Sequence, residues 1–462
     1  MANLLEQYKT KIAVAENVYA KSHNGAKLDN MMKLVTAKCL NNIDRYMNEA
    51  FENSTGTQKS ALGDYKRFAL ALTTLAVPNL IAPELVMVQP MSSTYGYVTY
   101  LNFVAGSKKG GVAQGDLFNG VYALGQTSDA RTHYTSDAIT VAEQHIVTAA
   151  EASALKVKLD WTPATALTQV KVGDTTKTIV APDAVLAAGQ VKLNANSEVE
   201  FYTSEISATN VVKVLYSYDN VFIPQNDLPI YNAELKSIAL EAKARRLAIY
   251  YSQMAAFQAK TDYGFDLGNV LAEQAVGELA FEIDSEVVAL LSNSAEVDSS
   301  LAWSKTLPVG VSKVEHYQGF AEVVEIAKAI IYKRTGKFSP NWMLIAANIL
   351  PVITFINGWQ AAPAGAVNGP YFAGTLNGIK VFVSPAMVDG DFVLGVNGHD
   401  MQTAAAVYAP YMPIVPTQLL QYADGGNSQG FSTLYDLKLL STYVGGDTKT
   451  YSPLLVKGQV SA

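Results

Sequence analysis

A chain of 462 residues is too long for one ordinary domain, so two or three compact units with a well-buried core are expected. With 49% hydrophobic and only 16% charged residues, it has a globular composition and a sparsely charged surface, as expected where much of that surface ends against copies of itself. The net charge of −7 excludes gripping nucleic acid through a basic stripe, although not enclosing it behind a neutral or acidic wall.

The first residues carry Glu6 and Lys9 where a signal peptide needs an uninterrupted apolar run. Residues 1–75 read as amphipathic helix, broken at Asn53-Ser54-Thr55-Gly56-Thr57. This segment has little core of its own and reads equally as an arm lying on something else or as an ordinary helical hairpin. Cys39 is the single cysteine, so the chain has no internal disulfide and no thiolate metal cluster. Residues 68–83 lack charge, but Pro78, Asn79 and Pro83 interrupt a run already shorter than the roughly 20 residues of a bilayer span, so buried strand and turn is expected.

From 92 to 225 the character changes. Gly106-Ser107-Lys108-Lys109-Gly110-Gly111 suggests a protruding loop tip. Its lysines precede the second glycine, so it fails the phosphate-loop pattern, and Lys108 and Lys109 are instead candidates to meet acidic groups of a neighbouring subunit. Alternating runs at 156–161, 170–172, 191–193 and 211–216 predict a small β domain inserted at about 140–218.

Residues 233–260 are read as a helix on Leu235, Ile238, Ala242, Leu247, Ile249, Met254 and Phe257. A longer one opens near Asp266, a good N-cap, and runs through Leu267, Leu271, Ala275, Leu279, Ile283, Val287 and Leu291, about 37 Å in all. Glu282 and Glu286 stand off that stripe, as a solvated or intersubunit face in preference to an acid–base pair, which needs a cleft. The last third reads as α/β. A helix over 317–334 ends in Lys333-Arg334-Thr335-Gly336, and apolar strands follow at 342–346, 379–383 and 392–396. Trp359, in the loop 358–365, is a candidate association anchor, with a core contact equally open. Strands around a turn at 424–430 close the chain.

Chemistry is sparse. His23, His133, His145, His316 and His399 show no zinc-hydrolase spacing, and no cofactor or metal is expected. Gly426-Asn427-Ser428-Gln429-Gly430 matches the nucleophile elbow of serine hydrolases, but Phe431-Ser432-Thr433-Leu434-Tyr435 alternates like a strand where an elbow needs a helix. Ser428 therefore reads as a surface turn and the chain as no enzyme.

Val77-Pro78-Asn79-Leu80-Ile81-Ala82, Val88-Gln89-Pro90-Met91 with Ser92-Ser93-Thr94, Glu241-Ala242-Lys243-Ala244-Arg245, Glu282-Ile283-Asp284-Ser285-Glu286-Val287-Val288 and Tyr408-Ala409-Pro410-Tyr411 occur in an order that resembles the major capsid proteins of T-even-like tailed bacteriophages. The resemblance covers 76–100 and 226 onward, and not the insert. It implies an α+β chain of the Hong Kong 97 type capsid fold: an N-terminal arm at 1–75, a peripheral domain at 76–91 and 226–300 with 266–291 as spine helix, an extended loop at 92–225 carrying the insert, an axial domain at 301–400, and a return to the peripheral domain at 401–462. By the same analogy the loop around Trp359 lies near a five- or six-fold centre. The implied partners are copies of the chain in hexamers and pentamers, portal, scaffold and decoration proteins, and packaged double-stranded DNA held without specific binding. No membrane is implied, and the location is the virion capsid, assembled in the bacterial cytoplasm. A vertex or encapsulin-like shell protein is the alternative of the same fold. Leu4-Leu5-Glu6 is the one early match to the apolar-x-Glu motif at which that group loses its N-terminal segment, too near Met1 for a large piece to leave.

Overall fold

The computed structural model describes residues 2–22, 27–52, 70–71, 80–110, 112–115, 134–203, 205–219, 228–335, 338–362, 369–398, 403–417, 419–440, 443–444, 447–448 and 452–461. The expected break at 53–57, the motif residues Val77-Pro78-Asn79, Gly336, the loop end 363–365, and His23, His133 and His399 lie outside them. The chain divides into two compact units, one of residues 1–100, 236–443 and 448–462, the other of residues 101–235 and 444–447.

The first unit holds two sheets. In one, strands Met87–Val88, Ala406–Pro416, Gly426–Leu439 and Lys243–Ser252 lie side by side, and Leu420–Gln421 pairs with the third. The two faces of this sheet are covered by different helices: alternation puts Phe431 and Leu434 on opposite faces, and a register shift between Met412 and Val415 interrupts the alternation in Ala406–Pro416. Phe431 and Ile414 pack with Ala272, Ala275 and Leu279 of the helix Leu267–Ser294. Leu434, Met412 and Val415 pack with Leu40, Ile43 and Met47 of the helix Asn30–Glu52.

The long helix starts as expected: the Asp266 carboxylate accepts the Gly268 amide at 3.0 Å. Ala275, Leu279, Ile283, Val287 and Leu291 are buried, and so are Ala272, Val276 and Val288 beside them. Of 28 residues, none is Lys or Arg.

The second sheet has seven strands, in the order Ala295–Ser304, Ser452–Ser461, Asp391–Gly395, Trp342–Ala346, Ile379–Ser384, Tyr371–Leu376, Trp359–Ala361. Trp342–Ala346 is buried along its whole length, which is why it reads as a continuous apolar run. Helix Phe320–Thr335 packs here, with Phe320 edge-on to Phe392 and Trp303. Residues 401–462 are thus shared between the two sheets.

One expected helix is absent. Residues 233–260 form strands Tyr231–Glu241 and Lys243–Ser252, then the six-residue helix Gln253–Gln258. Helix-forming Ala, Leu, Glu and Lys are overridden by pairing: Lys243–Ser252 runs antiparallel to Gly426–Leu439, Lys243 opposite Tyr435 and Ser252 opposite Gly426. Leu247 and Ile249, two apart, face the long helix. The uncharged run also differs from expectation, because its described end, Ala82–Leu85, is a short helix with Pro83 in its first turn.

In the second unit, residues 138–219 hold a seven-stranded β domain. Its seven strands lie in the order Ala138–Ile146, Val211–Asp219, Ala164–Val172, Thr175–Ile179, Gln190–Leu193, Glu198–Phe201, Lys156–Lys158. It has its own core, with Val157, Val199, Val212 and Tyr216 fully buried. Glu143 is its half-buried polar pin, accepting the Tyr216 hydroxyl at 2.6 Å and the Asp160 amide at 3.1 Å. Its first and last strands are antiparallel partners, Ala138 opposite Asp219.

Candidate intersubunit surfaces

The two loop lysines part company. Lys108 is exposed, whereas Lys109 is only 6% exposed. A tight turn explains this: Lys109 and Val112 exchange backbone hydrogen bonds at 3.1 and 3.2 Å around Gly110, whose φ of +60° suits glycine. The Lys109 ammonium lies 3.9 Å from Asp137 and 5.7 Å from the centroid of the Tyr218 ring. Burial lowers its pKa and Asp137 opposes that shift. Lys109 is therefore committed to the β domain of its own chain, and the outward charge of this tip is that of Lys108.

Glu282 and Glu286 also differ. Glu282 is exposed. Glu286 is held by the Arg245 guanidinium at 2.5 Å and accepts the Tyr435 hydroxyl, while Arg245 sits 5.3 Å over the Tyr435 ring. Tyr408 lies beside Tyr435, with ring centroids 5.5 Å apart. The segments around 241–245, 282–288 and 408–411, far apart in sequence, thus converge where the long helix crosses its sheet.

Asp284, which sequence reasoning passed over as the residue between two glutamates, is the most buried carboxylate of this group. It is 4% exposed and accepts the Ile81 amide at 3.2 Å and the Ala82 amide at 3.1 Å, so it caps the short helix Ala82–Leu85 from across the unit. Burial pushes its pKa up to about 7 against the lowering effect of these amides. Only its placement at the centre of an apolar helix face could have signalled this, and its partners lie some 200 residues earlier.

Trp359 is half-buried in an edge strand, its indole against Gly374 of the neighbouring strand, so it packs at least partly within its own chain. Ser428 lies inside the strand Gly426–Leu439, paired with Tyr250 on one side and Leu420 on the other. An extended, doubly paired residue is not a nucleophile elbow. His145 contacts Glu151 at 2.9 Å and His316 stacks on Trp303 at 4.8 Å, both structural roles. Among the described residues no group of His, Cys, Asp and Glu could hold a metal ion, and no helix is long and apolar enough to cross a membrane.

Large apolar side chains are nevertheless exposed in rows. Tyr95, Tyr97, Leu101 and Phe103, all on one face of strand Tyr95–Ala105, point away from the protein interior. Among the described residues that strand pairs with Tyr231–Glu241 alone, and a two-stranded ribbon is marginal without a covering surface. Apolar rows of this kind mark association surfaces.

Comparison with known proteins agrees. The chain is 25% identical over 420 residues to the major capsid protein of Escherichia phage AR1, covering 83% of this chain and 77% of that one. It is 25% identical over 434 residues to that of Enterobacteria phage T6, covering 83% and 80%. Among solved structures, the capsid of Myoviridae phage XM1 aligns with a TM-score of 0.34 at 6% identity, over 70% of this chain and 86% of that one. The family described as Major capsid protein Gp23 matches residues 62–458. The chain therefore belongs to the Gp23 major capsid protein family, structural proteins of the bacteriophage capsid and not enzymes.

Proposed function

We propose that the protein assembles into hexamers and pentamers that tile an icosahedral head around double-stranded DNA. The family match over residues 62–458 carries this reading. The exposed apolar row of Tyr95, Tyr97, Leu101 and Phe103 supports it, because a surface of that kind is stable only when covered. In this reading the subunit has the Hong Kong 97 type fold. Residues 1–75 form the bracing arm, and 76–91 with 226–300 the peripheral domain around the long helix. Residues 92–225 form the extended loop with its β domain, 301–400 the axial domain, and 401–462 the return.

Symmetric contacts, each modest, are multiplied by closure of the shell. Lys108 and Glu282 are the outward charges assigned to neighbours, and Trp359 lies toward the capsomer centre. The β domain locks adjacent subunits or decorates the exterior. Portal and scaffold proteins act during assembly in the bacterial cytoplasm, and DNA is enclosed without specific contacts, in keeping with a net charge of −7. Electron microscopy of the purified protein tests the reading: shells or capsomers are expected, and dispersed monomers at all concentrations and salts overturn it. Copy number per particle separates a shell subunit from a vertex protein.

A further inference from the structure

At one end of the sheet that carries Lys243–Ser252, an apolar surface is left uncovered among the described residues. Helix Gln253–Gln258 follows directly from this strand, with Ser252 accepting the Ala255 amide as its N-cap. Its sequence is Gln-Met-Ala-Ala-Phe-Gln, and not one of its six residues is buried. Met254 is 67% exposed and Phe257, on the same helix face three residues later, 66%. A helix this short has no stability of its own, and one that buries no side chain within its chain draws little from tertiary packing.

The helix passes into a π-turn, Ala259–Tyr263, which ends at Gly264 with φ +74°. Tyr263, 77% exposed, lies 6.2 Å from Phe265. Beside the same strand end, Tyr250 and Tyr422 lie 6.4 Å apart, both exposed, and the Tyr250 hydroxyl reaches Asp424. The aromatic members expose roughly 100–150 Å² each, on the order of 600 Å² in all, from the full size of such side chains. Adding Met254 brings this near the roughly 800 Å² that each partner contributes to a standard interface.

The occupant follows from the charges at the rim. Lys260 and Asp262 are both exposed, and neither has an ion pair among the described residues. Two residues apart in the turn, they do not face each other within one chain. If Lys260 of one copy meets Asp262 of a two-fold related copy, the reverse pair forms as well, because an isologous contact is reciprocal. Met254, Phe257 and Tyr263 carry no charge, so a second identical surface meets no repulsion at these side chains. We propose that Met254, Phe257 and Tyr263 form an isologous interface with a second copy of this chain, closed by reciprocal Lys260–Asp262 pairs.

The inference rests on the shell-forming reading and names one contact within it, so the test begins from shells of the unaltered chain, whose failure to form counts against that reading instead. Met254→Cys, Phe257→Cys and Tyr263→Cys are each assembled and mildly oxidised. The native Cys39 is buried, so background is low. A covalent dimer is expected from at least one variant, and no dimer from any of the three overturns the interface. Lys260→Asp is expected to lower shell yield at least tenfold, and the double change Lys260→Asp with Asp262→Lys to restore it. Unchanged yield for the single variant, or no rescue by the double variant while its thermal melt matches the parent, overturns the pairing.

Discussion

Asp284 is a carboxylate that accepts two amides and, among the described residues, pairs with no cation. Its acceptors hold Ile81 and Ala82 at the start of a helix whose N-terminal amides have no other cap, and its burial opposes ionisation. The unfolded carboxyl titrates near 3.9. With the folded value raised to about 7, the native state holds a proton that the unfolded state has released. The stabilisation is full below about pH 4 and declines as pH rises toward 7, by an amount on the order of 4 kcal/mol. Asp284→Asn, which keeps an acceptor and cannot ionise, is expected to flatten this slope in chemical denaturation between pH 4 and 8. Asp284→Ala orphans two amides and is expected to cost about 2–4 kcal/mol at pH 4, where the parent carboxyl is protonated, and less as pH rises. A parallel slope in parent and Asn variant would remove the proton linkage.

At the scale of elements, the two long segments between 231 and 294 show what patterning can and cannot reveal. The helix Leu267–Ser294 was legible because its i+4 apolar ladder, N-cap Asp266 and lack of interior breakers agree. The preceding strands were not. Tyr231–Glu241 exposes nearly every side chain, so no alternation marks it, and in Lys243–Ser252 both faces carry apolar residues. The β state of Lys243–Ser252 is fixed by a partner strand almost 200 residues later, and that of Tyr231–Glu241 by Tyr95–Ala105, far earlier in the chain. The same non-locality hid the Arg245–Glu286 link and the inward turn of Lys109, since neither burial nor pairing is written in a dipeptide. The short alternating runs of the β domain were legible, because polar and apolar faces differ there.

The turn at Lys109–Val112 yields a test at this scale. A Cβ on Gly110 would lie 2.1 Å from the Trp161 indole, at a φ that side chains resist. Gly110→Ala is therefore expected to destabilise the second unit by about 2–4 kcal/mol, from overpacking plus left-handed strain. Limited proteolysis within 101–235 reports it: faster cleavage there is expected, and unchanged protection would mean that Trp161 moves aside freely.

For the whole molecule, the unit of 101–235 has its core separate from the two-sheet unit. Replacing residues 138–219 by a short glycine–serine turn is expected to leave a cooperative melt of the remaining chain, read by calorimetry. Loss of that melt would mean the host depends on the insert. Shells that form with unchanged stability would assign the β domain to decoration, and weakened shells to locking.

The entry and exit strands of that domain pair side by side, Ala138 against Asp219, so the chain enters and leaves it at one place, with the turn at Lys109 and Gly110 as a further contact. A module joined in this way can be exchanged or enlarged while the rest of the chain keeps its fold. Foreign peptides grafted there would ride on the subunit without bending its backbone.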